Sequence, residues 1–238
     1  MDEQGNQPLQ IDFTLSTDLV INQPIHLDAL LVYFLNEAGE DHGTYKDSII
    51  ENWPLPLRKL QIGGKWFWDC SDSIVIEHKR ALDTIKRKFT IDDLPMKSVN
   101  VAGLKYGSKI TTFERIQTEC IRFFAYGNLC ALKPIIGRIR SIGMLRAHGF
   151  GVVKGFEIKP IDMDFCCWDR QQQILLRNIP LSGDPFEFLL DRNVTIKQGR
   201  YRPPYYDRSK RDENIVPLIC QGSKFNLEDV LDVLNVSQ

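Results

Sequence analysis

Long apolar runs are missing from this 238-residue sequence. No run approaches the ~18 residues that a membrane-spanning helix needs, and the acidic, polar start of the chain is unlike a secretory leader. Six cysteines are present, but no two have the Cys-x-x-Cys spacing, so the sequence predicts neither a zinc site nor a disulfide framework. We therefore expect a cytoplasmic protein with reduced thiols that contacts no membrane and holds no metal or cofactor.

Several signatures of enzymes are also absent. The sequence contains no Gly-x-Ser-x-Gly elbow, no His-Glu-x-x-His motif and no Gly-Lys-Ser/Thr phosphate loop, which leaves the corresponding hydrolase, zinc-protease and nucleotidase classes without support. Asp162 and Asp164 would share one face of an extended segment, but no third ligand is nearby. A solvated pair is therefore favoured over a metal site.

Acidic residues are absent between Glu119 and Glu157, although the chain has 31 acids and a net charge of −1. Residues 1–52 carry a balance of −9, and residues 53–211 carry +12. The acid-free stretch contains six bases: Arg122, Lys133, Arg138, Arg140, Arg146 and Lys154. This asymmetry predicts an anionic partner on the basic surface, with a merely solvated face as the alternative. The acidic segment would then contact another subunit.

Hydrophobic periodicity predicts a β-α-β-β-α-β order, which is the ferredoxin-like arrangement. The glycine and proline positions predict loops between these elements. A closing helix is expected at residues 227–234. The predicted elements are a half-buried strand at Ile11–Leu19, a helix at His26–Glu37, a strand at Leu60–Cys70, a helix-compatible basic stretch at Glu77–Phe89, a buried strand at Glu119–Tyr126, a helix from Asn128 to about Ile142 and a strand to about Ile158.

The expected fold class is α+β, with a ferredoxin-like (RRM-like) domain over residues 8–159. A basic insertion at about 71–108 and a β-rich C-terminal portion, 160–238, packed on the domain complete the expected organisation.

A glycine-rich loop at Gly143–Gly151 is the sharpest chemical signal. Glycine permits positive φ and close approach of a ligand, and successive amides in such turns form anion-binding nests. Arg146 and His148 lie inside the loop, and Lys154 follows it. The loop precedes a strand rather than opening a helix, so it is not a dinucleotide fingerprint. A plain tight turn is the alternative.

This loop, Ile142-Gly-x-x-Arg-x-x-Gly-Phe-Gly-x-Val, resembles that of the RAMP superfamily of CRISPR-associated RNA-binding proteins. Phe13-Thr-Leu-Ser-Thr with His26-Leu-Asp-Ala-Leu-Leu is similar to the first strand and helix of that group. Leu176-Arg-Asn-Ile-Pro-Leu and Gly199-Arg-Tyr-Arg-Pro-Pro-Tyr-Tyr also resemble it. The combination looks most like the Cascade-type subunit of type IV CRISPR effectors that binds the five-prime handle of the guide RNA.

The resemblance implies a non-catalytic subunit whose partners are the guide RNA (crRNA) and the backbone and large subunits of the effector, with target DNA as a further candidate. The resemblance also identifies the insertion at about 71–108 as a thumb that contacts the neighbouring backbone subunit. The resemblance and the charge pattern together predict RNA-binding residues in three places: Arg138, Arg140, Gly143, Arg146, His148, Gly149, Phe150, Gly151 and Lys154 around the loop, Lys79, Arg80, Lys86, Arg87 and Lys88 on the thumb, and Arg200, Arg202 and Tyr205 near the C-terminus.

Aromatic residues interleaved with these bases suit single-stranded RNA, because rings stack on bases while cations contact phosphates. For Trp66 and Trp68 we favour a place in the core, and for Tyr201–Tyr206 a surface role in recognition.

His26 keeps an alternative open. A related guide-processing endoribonuclease uses a histidine near the first helix as general base, and an imidazole suits that role. The alternative function is therefore a metal-independent endoribonuclease that cuts repeat RNA. A free-standing RNA chaperone of RRM type is disfavoured, because the glycine loop follows the second helix instead of preceding it.

Overall fold

The computed structural model describes residues 5–37, 54–62, 65–87, 109–162, 166–169, 174–180, 195–203, 205 and 212–216. Two α-helices lie in these ranges: α1 (Leu27–Glu37) and α2 (Leu129–Ile136). The strands are β1 (Gln7–Leu15), β2 (Lys59–Ile62), β3 (Lys65–Trp68), β4 (Ile74–Arg87), β5 (Lys109–Gly127), β6 (Val153–Pro160), β7 (Trp168–Asp169), β8 (Ile174–Leu175), β9 (Ile179–Pro180), β10 (Thr195–Gly199) and β11 (Asp212–Val216).

The central sheet has the strand order β4-β5-β1-β6, and each neighbouring pair is antiparallel. β1 alternates as the sequence predicts, with Leu9, Ile11, Phe13 and Leu15 buried on one face. This face meets α1 and α2, and together they form the main core. The mixed composition and antiparallel sheet agree with the predicted α+β class.

The other face of the sheet is covered by the C-terminal part of the chain. Ile74 and Phe124 of the sheet form a second buried cluster with Cys166 and Leu176. Three small sheets or hairpins accompany the central sheet: β2–β3, β7–β8 and β10-β11-β9. The predicted helix at residues 227–234 lies outside the described residues.

Two helix predictions are confirmed at their starts. α1 begins at Leu27, and Asn128 caps α2 because its side-chain oxygen accepts a hydrogen bond from the Ala131 amide at 3.0 Å. Such a cap satisfies an amide that the first turn would otherwise leave unpaired. α2 ends at Ile136 instead of continuing to Ile142, since Gly137 follows as its C-cap and its amide bonds back to Lys133.

The helix-compatible prediction for residues 77–89 is wrong for the part that the structure describes, because residues 77–87 belong to strand β4. Its residues pair with β5 from Ile74↔Arg122 to Arg87↔Lys109. Lysine, arginine, alanine and leucine favour helices by propensity, but β4 pairs along its whole length with β5 as an edge strand of the sheet, and this tertiary pairing overrides that preference.

β4 and β5 extend beyond β1 as a two-stranded arm, here the β4–β5 arm (residues 77–87 and 109–119). The last residue of β5 paired with β1 is Cys120, opposite Thr14. At about 3.4 Å per residue, the eleven-residue arm spans roughly 37 Å. It occupies the described part of the predicted thumb insertion, and residues 88–108 lie outside the described ranges.

Candidate nucleic-acid interface

The glycine loop (residues 143–151) contains four positions with positive φ. Gly143, Gly149 and Gly151 have φ values of 95°, 83° and 63°, and Leu145 has 55°. A Cβ added at Gly151 would lie 1.8 Å from the Ile142 carbonyl oxygen, so the backbone there tolerates no side chain. Gly149 instead faces open space, with no heavy atom within 4 Å of the position a Cβ would take. The loop therefore presents bare backbone to the outside at Gly149 while it is closely packed at Gly151.

Backbone hydrogen bonds hold the loop against the segment that follows β1. Met144 donates to the Val20 carbonyl at 2.7 Å, and Gly151 donates to that of Asp18 at 2.8 Å. A further bond, Ile142 to Gly151, closes the neck of the loop at 2.8 Å. A fixed loop loses little conformational entropy when a ligand binds.

Several predicted RNA contacts lie exposed around this loop. Arg138, Arg140, His148 and Lys154 all have exposed side chains. The arginines and Lys154 form no ion pair with another described residue, so their charges remain available to an anion. Phe150 is half-buried, and its ring packs edge-on against Phe113 of the β4–β5 arm with centroids 5.4 Å apart.

The loop forms one wall of a groove of about 310 Å³ whose other walls are α1 and the residues that precede it. The groove is lined by both aromatic and cationic side chains, among them His26, Tyr33, Arg146 and Tyr205. The Arg146 guanidinium lies 4.8 Å from the centroid of the Tyr33 ring. A flat aromatic wall beside a fixed cation suits an unstacked base and its phosphate.

His26 is not isolated in this groove. Its Nδ1 contacts Oδ1 of buried Asp72, and its ring stacks on Tyr205 with centroids 4.0 Å apart and planes 9° from parallel. Because an ionised carboxylate only accepts hydrogen bonds, Nδ1 carries the proton in this contact, and Nε2 is the nitrogen that would supply a lone pair. A lone pair on an oriented imidazole is what a general base needs.

Tyr205 is held by a buried group of charges, here the Arg177 cluster (Asp28, Arg177 and Tyr205). Nη2 of Arg177 lies 3.2 Å from Oδ2 of Asp28 and 3.0 Å from the Tyr205 hydroxyl, which is itself 3.0 Å from the same carboxylate. Arg177 and Asp28 are 1% and 0% exposed. Burial raises the pKa of the Tyr205 hydroxyl well above its ordinary value, and the Asp28 charge adds to the effect.

The Arg177 cluster joins distant parts of the chain. Nη1 of Arg177 also donates to the carbonyl oxygens of Trp68 at 2.5 Å and Cys70 at 3.1 Å. The cluster therefore ties α1, the end of β3 and the C-terminal segment to one point, and it places the Tyr205 ring in the groove.

The β4–β5 arm carries the predicted thumb cations at the same end of the sheet as the glycine loop, with Lys79 and Lys86 on opposite faces of β4 because they are seven residues apart in a regular strand. Lys79 and Lys86 are exposed, whereas Arg80 is already held by Glu77 at 2.6 Å and Glu114 at 2.9 Å. A phosphate at Arg80 would compete with these two carboxylates. Arg87 ends β4, its side chain is not described, and Lys88 lies outside the described residues.

The predicted C-terminal contacts divide between two places. Tyr205 lines the groove, while the Arg202 guanidinium lies 4.4 Å from the centroid of Trp66, away from the loop. Arg200 is half-buried beside it in sequence. The surface role expected for Tyr201 is wrong, since this residue is 8% exposed. Its backbone carbonyl accepts a hydrogen bond from buried Arg177. The core position favoured for Trp68 is confirmed at 4% exposure.

Sequence reasoning missed Tyr33, Asp72 and the partners of Tyr205. Tyr33 lies on α1, seven residues or about two helical turns beyond His26, so a helical wheel could have placed it on the groove. Asp72 is 46 residues from His26, and Arg177 is 149 residues from Asp28. No local pattern signals such pairs, although an arginine inside Leu175-Leu176-Arg177-Asn178-Ile179 is unusual enough to suggest a buried partner.

The helices that the structure describes include none long and apolar enough to cross a membrane. Within the same described residues, no group of three or more His, Cys, Asp and Glu side chains could hold a metal ion.

Fold and site together define a mixed α/β protein in which an exposed glycine loop, a basic arm and an aromatic groove lie at one end of an antiparallel sheet. Residues 7–100 match the family described as "Csf3: CRISPR type IV associated protein Csf3", which is under half of the chain. The match supports the CRISPR association that the motifs predicted.

Among solved structures, a chain in the "Cryo-EM structure of the Type III-B Cmr-beta bound to cognate target RNA" is similar with a TM-score of 0.38 and 12% identity. The similarity covers 66% of this chain and 61% of that one, so this chain spans less than two thirds of that protein. No curated protein matches the sequence.

Proposed function

We propose that this protein is a non-catalytic guide-RNA-binding subunit of a CRISPR effector complex, which caps the five-prime handle of the crRNA and contacts the backbone subunits. The observation that carries the proposal is the convergence at one end of the sheet of the glycine loop, the aromatic groove and the β4–β5 arm. The family match over residues 7–100 supports the CRISPR context. The strand order β4-β5-β1-β6 supports a ferredoxin-like domain as the scaffold.

The charge distribution around the loop supports RNA as the ligand. The loop and its flanks hold exposed cations without a described carboxylate partner, and the groove offers the rings of Tyr33 and Tyr205 for unstacked bases. If about six phosphates are contacted, the slope of log affinity against log salt is roughly −4 for a single strand.

The β4–β5 arm supports a contact with a neighbouring subunit. Leu82 and Ile110, on opposite strands of the arm, are 77% and 66% exposed. Large apolar side chains this open on a projecting hairpin suit a protein partner, because covering them would remove apolar area from water.

A second candidate function is the metal-independent endoribonuclease. One observation favours it: the His26 imidazole is oriented by Asp72 inside the same groove as Arg146. In such a reaction Nε2 would take the proton of a ribose 2′-hydroxyl, and the 2′-oxygen would attack the adjacent phosphorus, whose developing charge Arg146 would neutralise. The bond from phosphorus to the 5′-oxygen of the next nucleotide would break, which leaves a 2′,3′-cyclic phosphate, and the departing 5′-oxygen would take a proton from water or from the imidazolium.

One experiment separates these functions. Purified full-length protein is incubated with labelled repeat RNA in chelator, as wild type, His26→Ala and the exposed-histidine control His78→Ala, and the gel is examined for a shift and for cut product. We expect a shift without cleavage, and weaker binding for Arg146→Gln than for the matched control Lys133→Gln. A single cut that is lost only in His26→Ala would instead establish the nuclease, and no shift at all would contradict both functions.

A further inference from the structure

Two acid-free segments of the chain meet far from the glycine loop. Residues 53–68 and 195–206 each contain three bases and no acid. The first segment contributes Lys59 and Trp66 from the β2–β3 hairpin, and the second contributes Arg202. The Arg202 guanidinium lies 4.4 Å from the centroid of the Trp66 ring, and so does the Lys59 ammonium.

The cations of this surface, here the Trp66 patch (Lys59, Trp66, Trp68, Tyr201 and Arg202), are held by rings rather than by acids. Lys59 also lies 4.8 Å from the Trp68 ring centroid, and Arg202 lies 5.7 Å from that of Tyr201. Neither cation forms an ion pair with any residue the structure describes. A cation oriented by an aromatic face keeps its full charge and its outward donors, so it can still bind a phosphate.

A neighbouring arginine shows the contrast. Arg58 is bonded through Nε to Oδ2 of Asp69 at 2.8 Å, and its guanidinium lies 3.5 Å from the centroid of Tyr126. Its charge is therefore neutralised within the protein. The charges of Lys59 and Arg202 are not neutralised in this way, which leaves the patch with excess positive charge.

The Trp66 patch and the glycine loop lie at opposite ends of β1. The loop follows the Leu15↔Val153 end of the strand, whereas the Gln7↔Gly127 end meets the chain that leads into β2 through the bridge Leu57↔Gly127. The eight steps along β1 correspond to about 27 Å, and the β2–β3 hairpin projects further. The Arg177 cluster lies between the patch and the groove, because Arg177 contacts the carbonyl oxygens of Trp68 and Tyr201 and also the Tyr205 hydroxyl.

We infer that the Trp66 patch is a second binding site for single-stranded nucleic acid, separate from the glycine-loop site. Phosphates bind Lys59 and Arg202, whose charged groups the half-buried Trp66 ring orients. The sequence predicts Arg202 alone of these residues as an RNA contact; the inference goes beyond the proposed function because it adds Lys59 and Trp66 and assigns them, with Arg202, to a site away from the loop. An acidic protein segment is the other anionic partner of this kind, and the test below separates the two.

Photocrosslinking of the full-length protein tests the inference. The probe is a mixed-sequence single-stranded RNA of about 30 nucleotides, long enough for two sites of ordinary size, with 4-thiouridine throughout. Trypsin would place the two sites on different peptides: Trp66–Lys79 for the patch and Ala147–Lys154 for the loop. The test variant is Lys59→Gln/Arg202→Gln, and the matched two-charge control is Lys46→Gln/Lys159→Gln, with circular dichroism to verify the fold of each.

We expect crosslinks on both peptides in the wild type. The test variant should lose those on the patch peptide, keep those on the loop peptide and bind about tenfold more weakly at 0.15 M salt, because losing two phosphate contacts lowers the salt slope by about 1.4. The control should bind like the wild type.

Crosslinks on the loop peptide alone, with unchanged affinity in the test variant, would overturn the inference and leave the proposed function intact. Crosslinks on the patch peptide alone would support the inference while contradicting the proposed function. Displacement of the RNA from the patch by polyglutamate of equal charge would also overturn the inference, in favour of an acidic protein partner.

Discussion

Replacing Arg177 by leucine should be among the most destabilising single changes in this protein. Arg177 is 1% exposed, and its guanidinium contacts the fully buried Asp28 carboxylate, the Tyr205 hydroxyl and four backbone carbonyls. Leucine would leave Asp28 as a buried charge without its countercharge. Breaking one side of a buried ion pair costs about 3–5 kcal/mol.

The magnitude can be checked in urea. The free energy of unfolding of Arg177→Leu, extrapolated linearly to water, should fall by about 3–5 kcal/mol relative to the wild type. In a chain of this size that corresponds to a thermal midpoint lower by roughly 10 °C. The surface change Lys133→Gln provides a control that removes one positive charge without burial, and its midpoint should not move.

A double variant separates charge from packing. Asp28→Asn/Arg177→Leu removes both charges, so it should be more stable than Arg177→Leu alone, since a neutral amide is less costly to bury than an unpaired carboxylate. A loss below about 1 kcal/mol in the single variant, in the range of an exposed pair, would refute the assignment of the Arg177 cluster as a buried network. So would a double variant less stable than the single one.

Two further outcomes follow from the site. Gly151→Ala should destabilise the protein or lower its RNA affinity, because a Cβ would lie 1.8 Å from a backbone carbonyl oxygen at a φ of +63°. Gly155→Ala is the control and should do neither, because the position that its Cβ would take is open space. Equal thermal midpoints and equal affinities for the two variants would contradict this prediction. Burial raises the pKa of Cys70 and of Tyr205 well above their ordinary values of 9.0 and 10.0, so above about pH 9 the unfolded chain binds fewer protons than the folded chain and stability falls as the pH rises. Thermal midpoints measured against pH should show this decline, with a shallower slope above about pH 10 for Tyr205→Phe; identical slopes for the two proteins would count against a buried, neutral Tyr205.

Local sequence patterns predicted those elements that local forces decide. The alternation in β1 and the helical spacing of α1 are amphipathic signals, and Asn128 is a cap whose partner is three residues away. β4 was predicted wrongly because its strand conformation depends on pairing with β5, more than 20 residues later in the chain. Propensity cannot anticipate a partner at that distance.

The candidate site also has one part that the sequence predicts and one part that it does not. The glycine loop was predictable, because glycine positions report directly on backbone conformation. The groove was not, since its aromatic and charged walls come from α1, the loop and residue 205. His26 looked isolated in the sequence only because Asp72 reaches it through the fold.

The span of the Arg177 cluster has a consequence for how the protein is made. Asp28 precedes Arg177 by 149 residues and Tyr205 by 177 residues in the chain. At about 5–20 residues per second on the ribosome, the carboxylate remains without its countercharge for roughly 7–30 seconds after it is synthesised. The groove therefore gains the wall formed by Tyr205 late in translation, after α1 and the glycine loop have been synthesised.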